Sequence, residues 1–208
     1  MDCGFTIFNL PFSAFEVFGA VIGLLYIVSE YRADKWFWPL SLLMSAFYIV
    51  IDFSSAIYAN GTICCYNFII SVYGLLVWRG IIQKKKAADG QRPITSCPAR
   101  HVWKIVAASA LLSVLLWMLL QQLPNESSYP LLDGITSALT IMGMVMLSQK
   151  WWQQWICWLI VNPIMIVIFW LTGNYASAIL YVVFVAFCVL GIIRWRREAL
   201  KTSDIDNP

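Results

Sequence analysis

Charge is what this 208-residue sequence has least of: Asp, Glu, Lys and Arg together make up only 12% of it, while 61% is hydrophobic. Soluble domains carry roughly 25% charged residues because their surface faces water. A chain with half that share cannot clothe a globule, so the surface it exposes must face lipid. Histidine is nearly absent, with His101 alone, and the six cysteines (Cys3, Cys64, Cys65, Cys97, Cys157, Cys188) form no C-x-x-C pair. That excludes a zinc site of the usual four-ligand kind, and cysteines inside apolar runs read as small hydrophobes. No glycine-rich phosphate loop is present, so ATP-driven work by this chain alone is not expected. No nucleophile–base pair invites an enzyme reading, and no cofactor is expected. The start, MDCGFTIFNLPF, lacks a basic n-region and is not read as a cleaved signal peptide.

Long apolar runs, by contrast, fill the chain. A helix needs about 20 apolar residues to cross hydrocarbon about 30 Å thick. Seven such runs lie at about 12–29, 36–51, 57–78, 102–120, 131–147, 152–170 and 175–193. The fold expected is therefore an all-α membrane protein with seven transmembrane helices. The first run is taken to end at the polar stretch Glu30-Tyr31-Arg32-Ala33-Asp34-Lys35.

Charge orients these helices. With the N-terminus outside, all fourteen lysines and arginines fall in the inside gaps. They are Arg32 and Lys35; Arg79, Lys84, Lys85, Lys86, Arg92, Arg100 and Lys104; Lys150; and Arg194, Arg196, Arg197 and Lys201. The outside gaps contain none. Positive-inside is ordinarily a bias; here the partition is complete.

An internal repeat accounts for the odd number. A shift of 117 positions lays 15–79 over 132–196 without a gap, with 12 of 65 pairs identical. These include Trp38/Trp155, Gly74/Gly191 and Trp78-Arg79 against Trp195-Arg196; Glu16 lands on Asp133. Two three-helix units in the same orientation need one extra crossing between them. The expected layout is a first repeat (1–79), a basic loop (80–101), a linker helix (102–120), a second repeat (131–196) and a cytoplasmic tail (197–208). Sugar carriers of the SWEET type share such parallel repeats, with substrate near the midplane between them.

Polar side chains inside hydrocarbon are expensive and point to function or to helix–helix bonding. Trp155, Trp158 and Asn162 are spaced i, i+3, i+7 and share a helical face. Two indoles and a carboxamide suit a flat, cationic heteroaromatic ligand, through stacking and cation–π attraction. Trp151 and Trp152 read instead as an interfacial belt. Asn67 and Ser71 share a face of the third helix, with binding and interhelical bonding equally open. Ser41, Ser45 and Tyr48 form a stripe on the second helix, where Ser45 is the repeat mate of Asn162. Thr136 and Thr140 read as structural. Glu16, Asp52 and Asp133 are the acids expected near membrane depth, all close to the outer boundary. With no acid–base chain across the membrane, a facilitator is favoured over ion-coupled transport.

Taken together, these residues resemble the nicotinamide riboside transporter (PnuC) family over almost the whole chain. The matching stretches are Trp38-Pro39, Ile57-Tyr58-Ala59-Asn60, Ser71-Val72-Tyr73-Gly74 and the Trp155…Trp158…Asn162 pattern. The resemblance implies a 3+1+3 helix plan, facilitated diffusion across a bacterial inner membrane, and trapping of the vitamin by a cytosolic kinase. The partners it implies are the small-molecule vitamin and the lipid bilayer, with no nucleic acid; a homo-oligomer such as a trimer is compatible with it. Two departures stand out. Cys64 replaces a glutamine typical of nicotinamide riboside carriers, and Asn60 replaces an acid. The Leu24-Leu25-Tyr26 and Ser29-Glu30-Tyr31-Arg32-Ala33 stretches look like the thiamine-type (PnuT-like) branch. Nicotinamide riboside is the family default; thiamine, or a non-transporting subunit of a larger complex, are the alternatives.

Overall fold

The computed structural model describes residues 5–7, 10–12, 14–54, 58–82, 92–122 and 129–206. Seven helices follow one another: α1 (Ala14–Arg32), α2 (Phe37–Ser54), α3 (Tyr58–Trp78), α4 (Ala99–Gln122), α5 (Pro130–Ser148), α6 (Gln154–Leu171) and α7 (Tyr175–Asp206). A ribbon of two three-residue strands, β1 (Phe5–Ile7) and β2 (Leu10–Phe12), precedes them; the all-helical expectation did not include it. Among the described residues, four segments are long and apolar enough to cross a membrane: Ala99–Gln122, Pro130–Ser148, Gln154–Leu171 and Ser177–Ser203. Outward-facing residues such as Leu43, Val50, Leu111, Val182 and Leu190 are apolar and exposed, as a lipid-facing surface requires.

Proline placement fits the helices. Pro130 opens α5, where a missing N–H costs nothing. Pro163 lies inside α6, an interruption that membrane helices tolerate when neighbours support the freed carbonyl.

Six helices close a ring. α1 packs on α2, α2 on α3, α3 on α5, α5 on α6, α6 on α7, and α7 back on α1. α4 stands outside this ring against α5, with Ser109 its single buried residue among those described.

The contacts that hold the ring recur at an offset of 117 residues. The Trp38 and Trp78 rings meet edge to face at 5.4 Å, and Trp155 and Trp195 do so at 5.7 Å. Trp38 lies flat on Gly74 and Trp155 on Gly191, so closely that a Cβ at either glycine would overlap the indole. Trp78 Nε1 donates to Leu147 O (3.2 Å), from α3 to the end of α5; Trp195 Nε1 donates to Tyr31 O (3.0 Å), from α7 to the end of α1.

The turns that follow α1 and α5 also match. Ala33 and Lys150, 117 apart, are the only described non-glycine residues at positive φ (54° and 51°). Each closes its helix with a left-handed residue, the usual way to satisfy terminal carbonyls. Ala33 N donates to Glu30 O and Lys150 N to Leu147 O, both at 2.9 Å. Asp34 N and Trp151 N then reach back to Ser29 O and Met146 O, both at 3.0 Å.

Two regions carry structure beyond the apolar runs. The segment taken as a tail from 197 is helical to Asp206, because α7 continues as an amphipathic helix. Trp195 and Ala199 point into the core, while Arg194 pairs with Glu198 at 2.9 Å on the outer face. Part of the long basic loop is also ordered against the α5–α6 turn. Thr95 N donates to Lys150 O (3.0 Å) and accepts at its carbonyl from Trp152 N (3.1 Å). Cys97 N donates to Gln153 Oε1 at 2.9 Å. Burial pushes the Cys97 thiol pKa up, which suits a packing cysteine.

Candidate functional site

The ring lines a partly open cavity of about 320 Å³ between α1–α3 on one side and α5–α7 on the other. Its lining is mostly apolar with a few convergent polar groups, the usual make-up of a small-molecule site. Of the fifteen described residues that line it, twelve fall into six pairs that are each 117 residues apart. Two pairs are apolar on both sides, Ile27/Met144 and Met44/Val161. The other four join unlike chemistries: Ser41/Trp158, Ser45/Asn162, Cys64/Tyr181 and Asn67/Phe184. The three residues left over are Tyr26, Glu30 and Thr140.

Four residues expected at a binding site therefore meet here: Trp158, Asn162, Asn67 and Ser45. Trp158 is a turn into α6, its ring resting against Gly143 of α5. Its indole Nε1 donates to Glu30 Oε1 of α1 at 2.7 Å. Asn162, on the next turn, is 6% exposed and donates from Nδ2 to Cys188 Sγ at 3.2 Å. The amide thus has a partner within the protein while its residue still faces the cavity.

The structure separates two others, Trp155 and Ser71, from the cavity. Trp155 is fully buried in the ring's core, over Gly191 and against Trp195, and does not line the cavity. Three residues along a helix turn a side chain by about 60°, enough to send Trp158 inward and Trp155 against α7. Ser71 is also fully buried behind the cavity wall. Its hydroxyl donates to Asn67 O at 2.6 Å and lies 2.8 Å from Ser41 Oγ. With its only proton given to Asn67, Ser71 accepts from Ser41 and ties α2 to α3. The side chain of Tyr48 lies outside the described residues, as do those of Glu16 and Asp52.

Glu30 is the residue sequence reasoning missed. It was taken as part of the polar stretch ending the first helix, yet it lies within α1 and is 3% exposed. It is a buried acid in the last turn of α1, at the other end of that helix from Glu16. One available signal was its i+4 spacing from Tyr26, which puts both on the face that lines the cavity.

The end of the ring that carries Trp78 and Trp195 also gathers the basic residues. Arg32, Arg92, Lys150, Arg194 and Lys201 line one polar cleft there with Asp34 and Glu198. Lys150 Nζ lies 4.3 Å from the Trp78 ring centre and Arg194 sits 4.9 Å over Tyr31, cation–π contacts that anchor both chains. Arg92 Nε donates to Gln149 O at 3.1 Å, and burial lowers the Arg92 pKa from its ordinary value. Trp152 donates to Ser96 Oγ at 3.1 Å beside Arg196, and Trp151 lies 6.0 Å from His101. Both suit the interfacial role expected of them.

A ring of long apolar helices with lipid-facing outer surfaces defines a multi-pass membrane protein. The chain belongs to the nicotinamide mononucleotide transporter family, whose profile it matches over residues 13–197. It is 24% identical to the nicotinamide riboside transporter PnuC of Escherichia coli strain K12 over 207 residues, covering 88% of this chain and 85% of that one. It is also 24% identical to the riboflavin/roseoflavin transporter RibM of Streptomyces davaonensis over 205 residues, covering 96% and 92%. The crystal structure of the vitamin B3 transporter PnuC shares the fold with a TM-score of 0.67 at 20% identity, covering 89% of this chain and 82% of that one. These relatives are transporters, and this chain is a membrane transporter of the PnuC type rather than an enzyme.

Proposed function

We propose that this protein is a facilitator that admits nicotinamide riboside through the cavity between α1–α3 and α5–α7. The observation that carries this is the lining itself. Six pairs of residues at one fixed offset surround the cavity, so it lies where two similar halves meet. Carriers built from parallel repeats bind at that place and alternate access by rocking one half against the other. The layout that follows is 3+1+3, with residues 1–79 and 131–196 as the halves and α4 as the return crossing. The complete segregation of lysine and arginine favours an outside N-terminus and inside C-terminus in the bacterial inner membrane.

Trp158, Asn162, Asn67 and Ser45 are the residues we assign to cargo. The indole stacks on a heteroaromatic ring, and the amides and hydroxyl bond ring substituents or a ribose. A cavity of about 320 Å³ suits one ring plus a sugar better than a three-ring flavin, which weighs against the substrate named for RibM. Thiamine is the second reading, favoured by the Tyr26 and Glu30 stretch, since both residues face the cavity. Passage down the gradient then needs a cytosolic kinase to phosphorylate the vitamin and retain it inside.

Uptake of labelled nicotinamide riboside or thiamine into liposomes holding only this protein tests the proposal. Saturable entry to equilibrium, without an ion gradient, is expected. No entry of either compound, together with a stoichiometric partner that co-purifies, would instead favour a non-transporting subunit.

A further inference from the structure

We infer that Glu30 makes the cavity a cation-selective site, the carboxylate facing the positive ring of the cargo while Trp158 stacks on it. This rests on the reading of the cavity as the transport site, and it narrows the class of cargo.

Among the described residues Glu30 is the one acid that lines the cavity, and no lysine, arginine or histidine lines it. The residue is buried, 3% exposed. It accepts a hydrogen bond from the neutral indole of Trp158, and no ion pair to it is present among the described residues. Gln154, one helical turn before Trp158, lies close to the same carboxylate and is fully buried. Among the described residues that line the cavity, no cation balances the acid.

An acid held in a low-dielectric interior without a cation is costly and in membrane proteins marks a ligand or ion path. Its repeat mate is Leu147, which belongs to the core rather than the cavity. The charge therefore enters from one half only. Position and chemistry agree with a ligand that is flat and positive at one end. The indole face attracts the same ring charge that the carboxylate does. A pyridinium or thiazolium meets both; a neutral ring of the same shape meets only the stacking surface.

Matched probes separate charge from shape. Nicotinamide riboside is a cation and its dihydro form is a neutral near-isostere; thiamine and 3-deazathiamine form a second such pair. Affinities are measured by titration calorimetry on the purified full chain. The cation of at least one pair should bind roughly 10- to 100-fold tighter than its neutral partner, the span expected for one charge-assisted contact. Glu30→Gln keeps size and an acceptor for Trp158 and should erase that preference, while Glu30→Asp should retain part of it. If Glu30→Gln weakens both members of a pair equally, Glu30 only positions Trp158 and the inference is overturned. Equal binding of cation and neutral by the wild type, or binding of neither cation, overturns it as well. Uptake of a neutral vitamin such as riboflavin would do so while leaving the transporter reading intact.

Discussion

α1–α3 and α5–α7 are alike where they hold themselves together and unlike where they face each other. Trp38, Gly74 and Trp78 in the first half repeat as Trp155, Gly191 and Trp195 in the second, with the same ring geometry. At the cavity the same offset pairs Ser41 with Trp158, Ser45 with Asn162 and Asn67 with Phe184. Indole on glycine is a packing solution with no tolerance for change, because a Cβ cannot be added without displacing the ring. Cavity positions have no such partner and are free to diverge. An asymmetric cargo in a nearly symmetric ring requires them to. Identity between the halves thus marks scaffold, and difference marks site.

Removing the scaffold should damage both halves alike. Trp38→Ala and Trp155→Ala each delete a fully buried indole, a change worth about 3–5 kcal/mol in known cores. Each is expected to lower the thermal transition in detergent by a similar amount, read by size-exclusion after heating. A large effect in one half only would break the likeness. Next in size, Trp158→Ala should cost at least about tenfold in cargo affinity through the lost stacking surface, with a much smaller change in thermal stability. Its mate Ser41→Ala should do the reverse, leaving affinity near wild type while removing the bond to Ser71, worth about 1 kcal/mol. Gly143→Ala should fall between these. The added methyl presses on the Trp158 ring, so affinity drops while the fold persists. Smallest of all is Glu198→Gln, which removes only the partly exposed pair with Arg194, where about 0–1 kcal/mol is expected. That pair has no counterpart in the first half.

The sequence was informative where a single physical rule decides. Apolar length identified seven helices because hydrocarbon thickness sets their span, and their cores match the observed ranges closely. The offset of 117 was legible because the packing tryptophans and glycines cannot drift. The extension of α7 to Asp206 was not, since its charges end the apolar run while Trp195 and Ala199 keep one face buried. Helix periodicity brought Trp155 and Trp158 onto one stripe, but a neighbouring helix divides that stripe between core and cavity. The identity of Trp38 and Trp155 already pointed to scaffold. Glu30 was hidden by its neighbours: beside Arg32, Asp34 and Lys35 it reads as loop, and only the turn at Ala33 shows that α1 continues past it.

Whether the residues that differ between the halves hold the cargo is tested most directly by one titration. Nicotinamide riboside and thiamine are titrated into wild type, Trp158→Ala and Trp155→Phe, each first shown to be monodisperse. The expected result is saturable binding of at least one compound to wild type and to Trp155→Phe, and its loss in Trp158→Ala. Undiminished binding by Trp158→Ala would contradict the account, because the cargo would then lie somewhere other than the cavity between the two halves.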